Sequence, residues 1–236
     1  MASQSGDGNI AGIAQVGDDG FVNAGQSGES NFLVVVQTGQ SDELHADQTG
    51  SYNTIGVLQS GTGVNNYASV SQTGDYNEVF ADQATDEGSL VIEQIGSYNS
   101  VGGADASFAQ TVNPGTAEIK QLGDGNSVNG VQSGFKTEFT LAQTGDANSV
   151  TLDQSGRRGE LSLNQTGVWN IAELTQAGRR NVSLLDQNGA YNELVLDQFG
   201  SDNLIEVNQN ADEGYVSVTQ GRGADNAVFI SQESFG

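Results

Sequence analysis

The side chains whose spacing could support chemistry are primary amides. Glutamine recurs at intervals of eleven residues, with a few longer intervals, at 21 positions from Gln4 to Gln232. A primary amide donates and accepts hydrogen bonds, but it is not an acid, a base or a nucleophile near neutral pH. The chemistry that this spacing predicts is hydrogen bonding from amide to amide, repeated along the molecule, and we predict no catalytic residue.

The composition excludes most other kinds of site. The 236 residues contain no Cys and one His, which excludes disulfide frameworks, redox cysteine pairs, cysteine nucleophiles and HExxH metal helices. Seven basic residues against 30 acidic ones give a net charge of -23, which opposes binding to nucleic acid or to anionic lipid. No apolar segment approaches the ~20 residues of a membrane span. We predict no cofactor, no metal ligand, no nucleic-acid partner and no membrane insertion.

The elements that must position these amides follow from the residues between them. Most glutamines begin a half-unit of the form Q-x-G-x-x-N-x-Φ-x-Φ-x, where Φ is apolar, as in residues 143–153. Asparagine, both Φ residues and the next glutamine lie at even separations, so in a β-strand they share one face. The step from glycine to asparagine is odd and requires a turn, which suits glycine because it reaches positive φ. Only Gly130 and Ser183 interrupt the Φ pairs.

A period of 22 residues is superimposed on the first. The residue five positions after glutamine is asparagine in one half-unit and usually another residue in the next. The first set is Asn9, Asn31, Asn53, Asn77, Asn99, Asn126, Asn148, Asn170 and Asn192, and the second includes Gly20, Asp42, Gly88, Gly115, Thr137, Gly159 and Gly214. We therefore predict an all-β fold, a β-solenoid with two strands per turn and about ten 22-residue repeats, stacked in cross-β fashion at ~4.8 Å. The longer intervals predict bulged arcs or loops, at Gly61-Thr62-Gly63, at Gly102-Gly103-Ala104 and before Gln232.

Inward amides need partners, because burying an unpaired amide costs a few kcal/mol. Stacked turns supply partners, since each amide then pairs with its equivalent above and below. We predict that ladder and assembly functions lie at Gln4, Asn9, Gln15, Gln26, Asn31, Gln37, Gln48, Asn53, Gln143, Asn148, Gln154, Gln165, Asn170, Gln176, Gln187, Asn192, Gln198, Gln209 and Gln220. The predicted arc glycines are Gly39, Gly50, Gly145, Gly156 and Gly167.

The predicted solenoid is one unit over residues 4–232, with half-units that start at each ladder glutamine. Residues 1–3 are expected to precede the repeat, and residues 233–236 to form a C-terminal tail. The end turns of such a stack present unpaired backbone groups, and the sequence predicts no helix that would cover them. We therefore predict head-to-tail polymerisation by strand addition.

At this point the residues resemble a known family. The segment from Gln165 to Gln176 matches in full the Q-x-G-x-x-N-x-A-x3-Q part of the curlin repeat, the pattern of curli fibre subunits. Segments that begin at Gln48 and Gln143 match with Ile or Val in place of the alanine. The resemblance to curlin-repeat proteins covers residues 4–232.

This resemblance implies a major-subunit-like structural protein of an extracellular bacterial functional amyloid, the curli-like fibre of a biofilm matrix. Its partners would be further copies of itself, a nucleator subunit and outer-membrane secretion machinery. The protein would be secreted, extracellular or at the cell surface, and the signal peptide absent from this chain would have been removed. The alternative is a monomeric secreted β-solenoid that acts as a binding or adhesion module. An enzyme is disfavoured, because the long loop carries Asp105 without a second acid or base.

Three further features have two interpretations each. Aromatic residues precede the ladder asparagine and either form a stacking or sugar-binding column or, as we favour, simply pack the arcs: Tyr52, Tyr76, Tyr98, Trp169 and Tyr191. Five basic residues predict one patch, which docks an acidic surface or polysaccharide or only relieves charge: Lys136, Arg157, Arg158, Arg179 and Arg180. Acidic pairs could bind Ca²⁺, but we favour charge repulsion between monomers. These are Asp18-Asp19, Asp86-Glu87 and Asp212-Glu213.

Overall fold

The computed structural model describes residues 1–60, 64–103 and 107–234, and its regular elements are β-strands in two parallel sheets. The first sheet contains, in spatial order, β1 (Ala2–Ser5), β3 (Phe21–Glu29), β5 (Glu43–Ser51), β7 (Tyr67–Thr73), β9 (Ser89–Ile95), β12 (Thr116–Leu122), β14 (Glu138–Asp146), β16 (Glu160–Val168), β18 (Val182–Ala190), β20 (Leu204–Asn210) and β22 (Ala227–Glu233). The second contains β2 (Ile10–Gln15), β4 (Phe32–Gln37), β6 (Thr54–Gln59), β8 (Glu78–Gln83), β10 (Ser100–Val101), β11 (Phe108–Val112), β13 (Ser127–Gly134), β15 (Ser149–Gln154), β17 (Ile171–Gln176), β19 (Glu193–Ser201) and β21 (Tyr215–Ala224).

The chain winds between the two sheets, one strand in each, and every strand pairs in parallel with the strand one turn away. The pairing is in register apart from a shift between Gln198 and Gly200 where β19 meets β21. Gln143 in β14, for example, pairs with Gln165 in β16, and Gly145 pairs with Gly167. Strands β10 and β11 share one layer, because both pair with β8 and with β13. In the described residues the first sheet therefore has eleven layers and the second has ten. The predicted two-strand β-solenoid of about ten 22-residue turns is confirmed.

The core lies between the sheets and consists of the predicted Φ residues. Leu161 and Leu163 in β16, for example, are each 1% exposed. Full burial of a side chain of this size stabilises the fold by about 1.5–3 kcal/mol. Ser183 is buried in the same column, where its hydroxyl donates to Gln198 Oε1 at 3.0 Å and accepts from Gln176 Nε2 at 3.1 Å. Among the described residues, the core is uncovered at the two ends of the stack, where Ile13 is 37% exposed.

One Φ assignment was wrong, in the layer that β10 and β11 share. Val101 occupies the first inward position there, paired with Val79 and Val128, and it is fully buried. The sequence pattern gave that position to Ala106, which lies outside the described residues, as do Ala104 and the predicted bulge at residues 61–63. Counting back from the next glutamine failed because the extra residues interrupt the strand after Val101 instead of lengthening the arc.

The turns between strands share one backbone conformation. The glycine two residues after glutamine has positive φ at most turns, for example +120° at Gly167 and +123° at Gly156, although Gly39 does not. The residue just before the inward position of the arc is also left-handed even where it is not glycine, with φ of 58° at Trp169, before Asn170, and 56° at Arg158, before Gly159. Left-handed backbone costs a non-glycine residue roughly 1–2 kcal/mol, so the surrounding stack must impose this conformation.

Candidate functional site

Two continuous glutamine ladders run along the inside of the solenoid, one against each sheet. In every step the side-chain Nε2 donates to Oε1 of the glutamine one turn further along the chain, for example from Gln143 to Gln165 at 2.9 Å and from Gln154 to Gln176 at 3.0 Å. The first ladder contains Gln4, Gln26, Gln48, Gln72, Gln94, Gln121, Gln143, Gln165, Gln187, Gln209 and Gln232. The second contains Gln15, Gln37, Gln59, Gln83, Gln110, Gln132, Gln154, Gln176, Gln198 and Gln220.

The second N–H of each interior glutamine amide donates to a backbone oxygen of the opposite sheet and so links the two sheets. Gln187 Nε2 donates to the backbone oxygen of Ile171 at 3.1 Å, and Gln176 Nε2 donates to that of Glu160 at 2.9 Å. In both cases the acceptor lies sixteen residues earlier, in the opposite sheet. Both donors and the acceptor of an interior glutamine are thus satisfied in a buried position, which avoids the cost of an unpaired amide.

A third ladder is made of asparagines at the arcs that lead from the first sheet to the second, here called the asparagine arcs. At each interior step the later asparagine donates to Oδ1 of the earlier one, as Asn170 does to Asn148 through both Nδ2 at 3.0 Å and its backbone N–H at 3.1 Å. Asn170 Nδ2 also donates to Gly189 O at 3.0 Å, which joins it to the glycine of the next arc. The members are Asn9, Asn31, Asn53, Asn77, Asn99, Asn126, Asn148, Asn170 and Asn192. The bonds of this ladder point opposite to those of the glutamine ladders, a direction that the sequence could not predict.

The arcs that lead from the second sheet back to the first, here called the mixed arcs, have no such continuous ladder. Asn66 donates to Asp42 Oδ1 at 3.0 Å, and Gly88 N–H donates to Asn66 Oδ1 at 3.2 Å. Asp42 Oδ2 and Thr137 Oγ1 are buried and have no hydrogen-bond partner. Asparagine reappears in consecutive arcs only at Asn181, Asn203 and Asn226.

Three arcs exchange the roles of glycine and the inward residue. Thr85 and Val112 stand where the pattern has glycine, and both side chains are buried. A Cβ on Gly88 would lie 2.1 Å from Thr85 Oγ1, and one on Gly115 would lie 1.9 Å from Val112 Cγ1. Each inward glycine therefore leaves room for the side chain that replaces the arc glycine, a paired exchange that is visible in the sequence but is not part of the half-unit pattern.

The third exchanged arc corrects one placement made from the sequence. Ala211 is buried in the glycine position of an asparagine arc, and Gly214 follows in the inward position. The backbone N–H of Gly214 donates to Asn192 Oδ1 at 2.8 Å. Gly214 therefore ends the asparagine column, and its assignment to the other half-units was wrong.

The glutamine ladders stop at the end layers, with unpaired amide donors at one end and unpaired amide acceptors at the other. Gln220 is 6% exposed, and its Nε2 is buried with no hydrogen-bond partner. At the other end, Gln4 and Gln15 donate inward to Gln26 and Gln37, so that within the described chain their Oε1 atoms accept no hydrogen bond. One end of the stack therefore presents amide donors and the other end presents amide acceptors.

The edge formed by the asparagine arcs carries an aromatic column. Tyr52, Tyr76 and Tyr98 stack face to face, with ring centroids 5.0 Å apart at both steps and planes within 7° of parallel. All three rings are about half exposed. Parallel stacking at the layer spacing goes beyond the simple packing favoured from the sequence. Trp169 and Tyr191 occupy the same slot further along, also exposed.

The edge formed by the mixed arcs carries the basic patch expected from the sequence. Phe135, Arg157 and Arg179 lie in adjacent arcs joined by parallel bridges. Lys136 Nζ and the Arg157 guanidinium lie 5.6 and 5.5 Å from the centre of the Phe135 ring, in cation–π range.

Two charged groups of that edge form an ion pair. Arg180 bonds to the Asp202 carboxylate, with Nη2 to Oδ2 at 2.8 Å. This hydrogen bond lowers the pKa of Asp202 and raises that of Arg180, although both side chains are partly exposed to solvent. On the outer face of the second sheet, burial raises the pKa of Asp82, partly offset by a hydrogen bond with Ser60.

The outer face of the second sheet also has an apolar groove of about 400 Å³ around Gly56, which has no side chain to fill it. Its lining includes Phe32, Val34, Leu58 and Phe80. Within residues 1–60, 64–103 and 107–234, no three His, Cys, Asp or Glu side chains cluster as a metal site would need. The same residues contain no helix long and apolar enough to cross a membrane.

Comparison with known proteins adds one finding to this geometry. The family model described as the curlin associated repeat matches the chain at residues 63–96 and at residues 170–200. No curated protein matches the chain. The two matched segments lie in different parts of the stack and contain the same ladder positions, including Gln72 and Asn77 in one and Asn170 and Gln176 in the other.

Proposed function

This chain is a curlin-repeat protein, and from that premise we propose that it is the polymer-forming subunit of an extracellular curli-type amyloid fibre of a bacterial biofilm matrix. In this proposal residues 4–232 act as one solenoid unit, and the fibre grows by strand addition between the ends of successive copies. A nucleator and an outer-membrane export apparatus would be its other partners. Its role is structural, without catalysis.

The observation that carries this proposal is the state of the end layers. Gln220 Nε2 is a buried donor without an acceptor at one end, and Gln4 and Gln15 offer free acceptors at the other. A buried unpaired polar group costs about 1–3 kcal/mol, which a second copy placed end to end would recover. Edge strands with unpaired backbone groups favour the same addition.

The surface charge supports controlled rather than immediate assembly. A net charge of -23 makes two monomers repel, and salt screens that repulsion over a Debye length of ~10 Å at 0.1 M ionic strength. The basic patch around Arg157 and Arg179 interrupts the acidic surface on one edge only. We therefore expect assembly to be slow at low salt and faster when salt is raised.

Fibre growth by the purified chain tests this function. We expect thioflavin T fluorescence to rise after a lag that seeds abolish, and the fibres to diffract at ~4.8 Å along the fibre axis. Seeded elongation by Gln220→Leu should be about tenfold slower than wild type, which corresponds to ~1.4 kcal/mol for one lost buried hydrogen bond. The matched control Ser217→Ala lies on the same strand and points outward, so it should elongate at the wild-type rate. Chain that stays monomeric at high concentration and raised salt would instead favour a secreted binding or adhesion module.

A further inference from the structure

The two end faces of the stack match each other when the second copy is rotated around the stack axis relative to the first. We propose that successive copies of this 236-residue chain stack with a rotation of about 180° around the stack axis, so that the first sheet of one copy continues the second sheet of its neighbour. This inference rests on the proposed function, because it specifies how the end-to-end contact is made.

The first support is that the two half-units of each turn are physically equivalent. Gln187 in the first sheet and Gln176 in the second both donate to a backbone oxygen sixteen residues earlier in the opposite sheet. The left-handed residue of the arc has nearly the same φ in both kinds of arc, 58° at Trp169 and 56° at Arg158. Advancing by one half-unit is therefore a rotation of about 180° with a rise of half a layer, ~2.4 Å. A strand from either half-unit fits on either sheet.

The second support is the unequal number of layers. The first sheet ends with β22, and the second sheet ends half a layer lower with β21. A neighbour in the same orientation would place its β1 on β22 and leave an empty strand position above β21. A rotated neighbour places its β1 on β21 and its β2 on β22, which continues both sheets without a gap.

The third support is that the unused amides meet in the rotated arrangement. Gln220 Nε2, buried without a partner, would face Gln4 Oε1 of the neighbour. Gln232 in the first sheet would face Gln15, whose Oε1 is also unused. In the same orientation, the empty strand position would leave Gln220 without an acceptor.

The fourth support is the order of inward residues at the two kinds of arc. The mixed arcs end in an asparagine ladder, with Asn226 Nδ2 donating to Asn203 Oδ1 at 3.1 Å. The rotated neighbour adds Asn9 to that column, so that its backbone N–H and Nδ2 can donate to Asn226 Oδ1 as those of Asn226 do to Asn203. The asparagine arcs end in Gly214, the break between the two chains takes the next arc position, and the rotated neighbour resumes the column with Gly20.

The apolar columns match in the same way. Val228 and Ile230 are only partly buried at one end, as is Ala11 at the other. The rotated arrangement stacks Ala11 and Ile13 of β2 on Val228 and Ile230 of β22. The same-orientation arrangement would cover these two residues with the short β1 strand, whose single inward apolar residue is Ala2.

Engineered disulfides distinguish the two arrangements, since the chain has no cysteine of its own. Ser3, Thr219 and Ser231 each precede a ladder glutamine and point outward. In the rotated arrangement Ser3 stacks on Thr219 of the neighbour, and in the same orientation it stacks on Ser231. Adjacent strands place such Cα atoms ~4.8 Å apart, within the range for a disulfide. Within one copy these residues lie at opposite ends of the stack, so an intramolecular bond cannot form.

We expect oxidised fibres of Ser3→Cys/Thr219→Cys to run as a ladder of covalent oligomers on a denaturing gel, and those of Ser3→Cys/Ser231→Cys to stay monomeric. The reverse result, or wild-type-like fibres with neither cross-link, would overturn the rotation and leave the proposed function intact. Absence of fibres from the wild-type chain would instead overturn the proposed function. If the double variants do not fold, a cryo-electron microscopy map of wild-type fibres decides the matter. The expected map repeats every two chains, at about 100 Å, and a repeat of one chain would contradict the rotation.

Discussion

The asparagine arcs and the mixed arcs have the same backbone and differ in the residue that they turn inward. Every asparagine arc spans five residues from glutamine to the inward position, whereas the mixed arc from Gln59 to Asn66 spans seven and that from Gln220 to Asn226 spans six. Unpaired buried oxygens, at Asp42 and Thr137, occur in the mixed arcs. Both longer arcs end in an inward asparagine, whereas the arc from Gln154 to Gly159 spans five residues without one. The comparison indicates that glycine and the left-handed residue close the turn whichever residue lies inward.

The largest expected effect tests whether the backbone is shared. Gly167→Ala in an asparagine arc and Gly156→Ala in a mixed arc should each destabilise the chain by about 3 kcal/mol or more, because both combine left-handed strain with a backbone clash. The added Cβ would lie 1.9 Å from Gly189 O in the first case and 2.1 Å from Gly178 O in the second. Urea unfolding followed by circular dichroism measures both.

Gly221→Ala is the matched control for these glycine variants, since its Cβ would meet nothing within 4 Å. It should change the free energy of unfolding by less than about 0.5 kcal/mol. A large cost at Gly167 with little at Gly156 would show that the two arcs do not share one backbone.

The second-largest expected effect tests whether the inward residue stabilises the asparagine arcs more than the mixed arcs. Asn148→Ala removes the acceptor for two bonds from Asn170 and the donor to Gly167 O, and should cost about 2–4 kcal/mol. Thr137→Ala in a mixed arc removes a buried hydroxyl that has no partner, so it should cost less than about 1 kcal/mol. Midpoints of urea unfolding compare the two, and equal costs would refute a special role for the amide ladder.

The smallest effect concerns the left-handed slot on the outside of each arc. Arg158→Gly relieves positive φ in a mixed arc, and should be neutral or stabilise by up to about 1 kcal/mol. Tyr76→Gly gives the same relief but loses two stacked neighbours, so it should be about 0.5–1.5 kcal/mol less favourable. Thermal unfolding at matched concentration measures this difference. Identical shifts for the two variants would mean that the tyrosine column does not stabilise the fold.

Much of the fold could be predicted from the sequence because three repeats involve the same residues. These are the two-residue alternation of a strand, the 11-residue half-unit and the 22-residue turn. Gln143, Asn148 and Val150 each face inward as parity requires, and Gly145 turns the chain with φ of +106°. The left-handed residue before the inward position could not be predicted, since Tyr, Trp, Arg and Glu carry no preference for positive φ. Gly8 and Gly125, which occupy that slot in two arcs, were the available signal.

The geometry of the candidate site could be predicted less completely than the fold. Repetition predicts that amides stack, but it does not give the direction of each hydrogen bond. The cross-sheet bond from Gln176 to Glu160 O depends on how far apart the sheets lie, which the Φ residues determine only once they are packed. Val101 was missed because a strand can be interrupted as well as an arc lengthened, and the spacing of glutamines is the same in both cases.

The left-handed slots have a consequence for the surface of the molecule. They hold side chains as different as Tyr76, Arg158, Trp169 and Glu213 on one unchanged turn geometry, all pointing away from the interior. Each long edge of the solenoid therefore carries a row of outward side chains that recur every ~4.8 Å and can be substituted individually. Pigments, catalysts or metal chelators grafted at these positions would be held at fixed molecular intervals, on a scaffold whose fold is specified mainly by its inward residues.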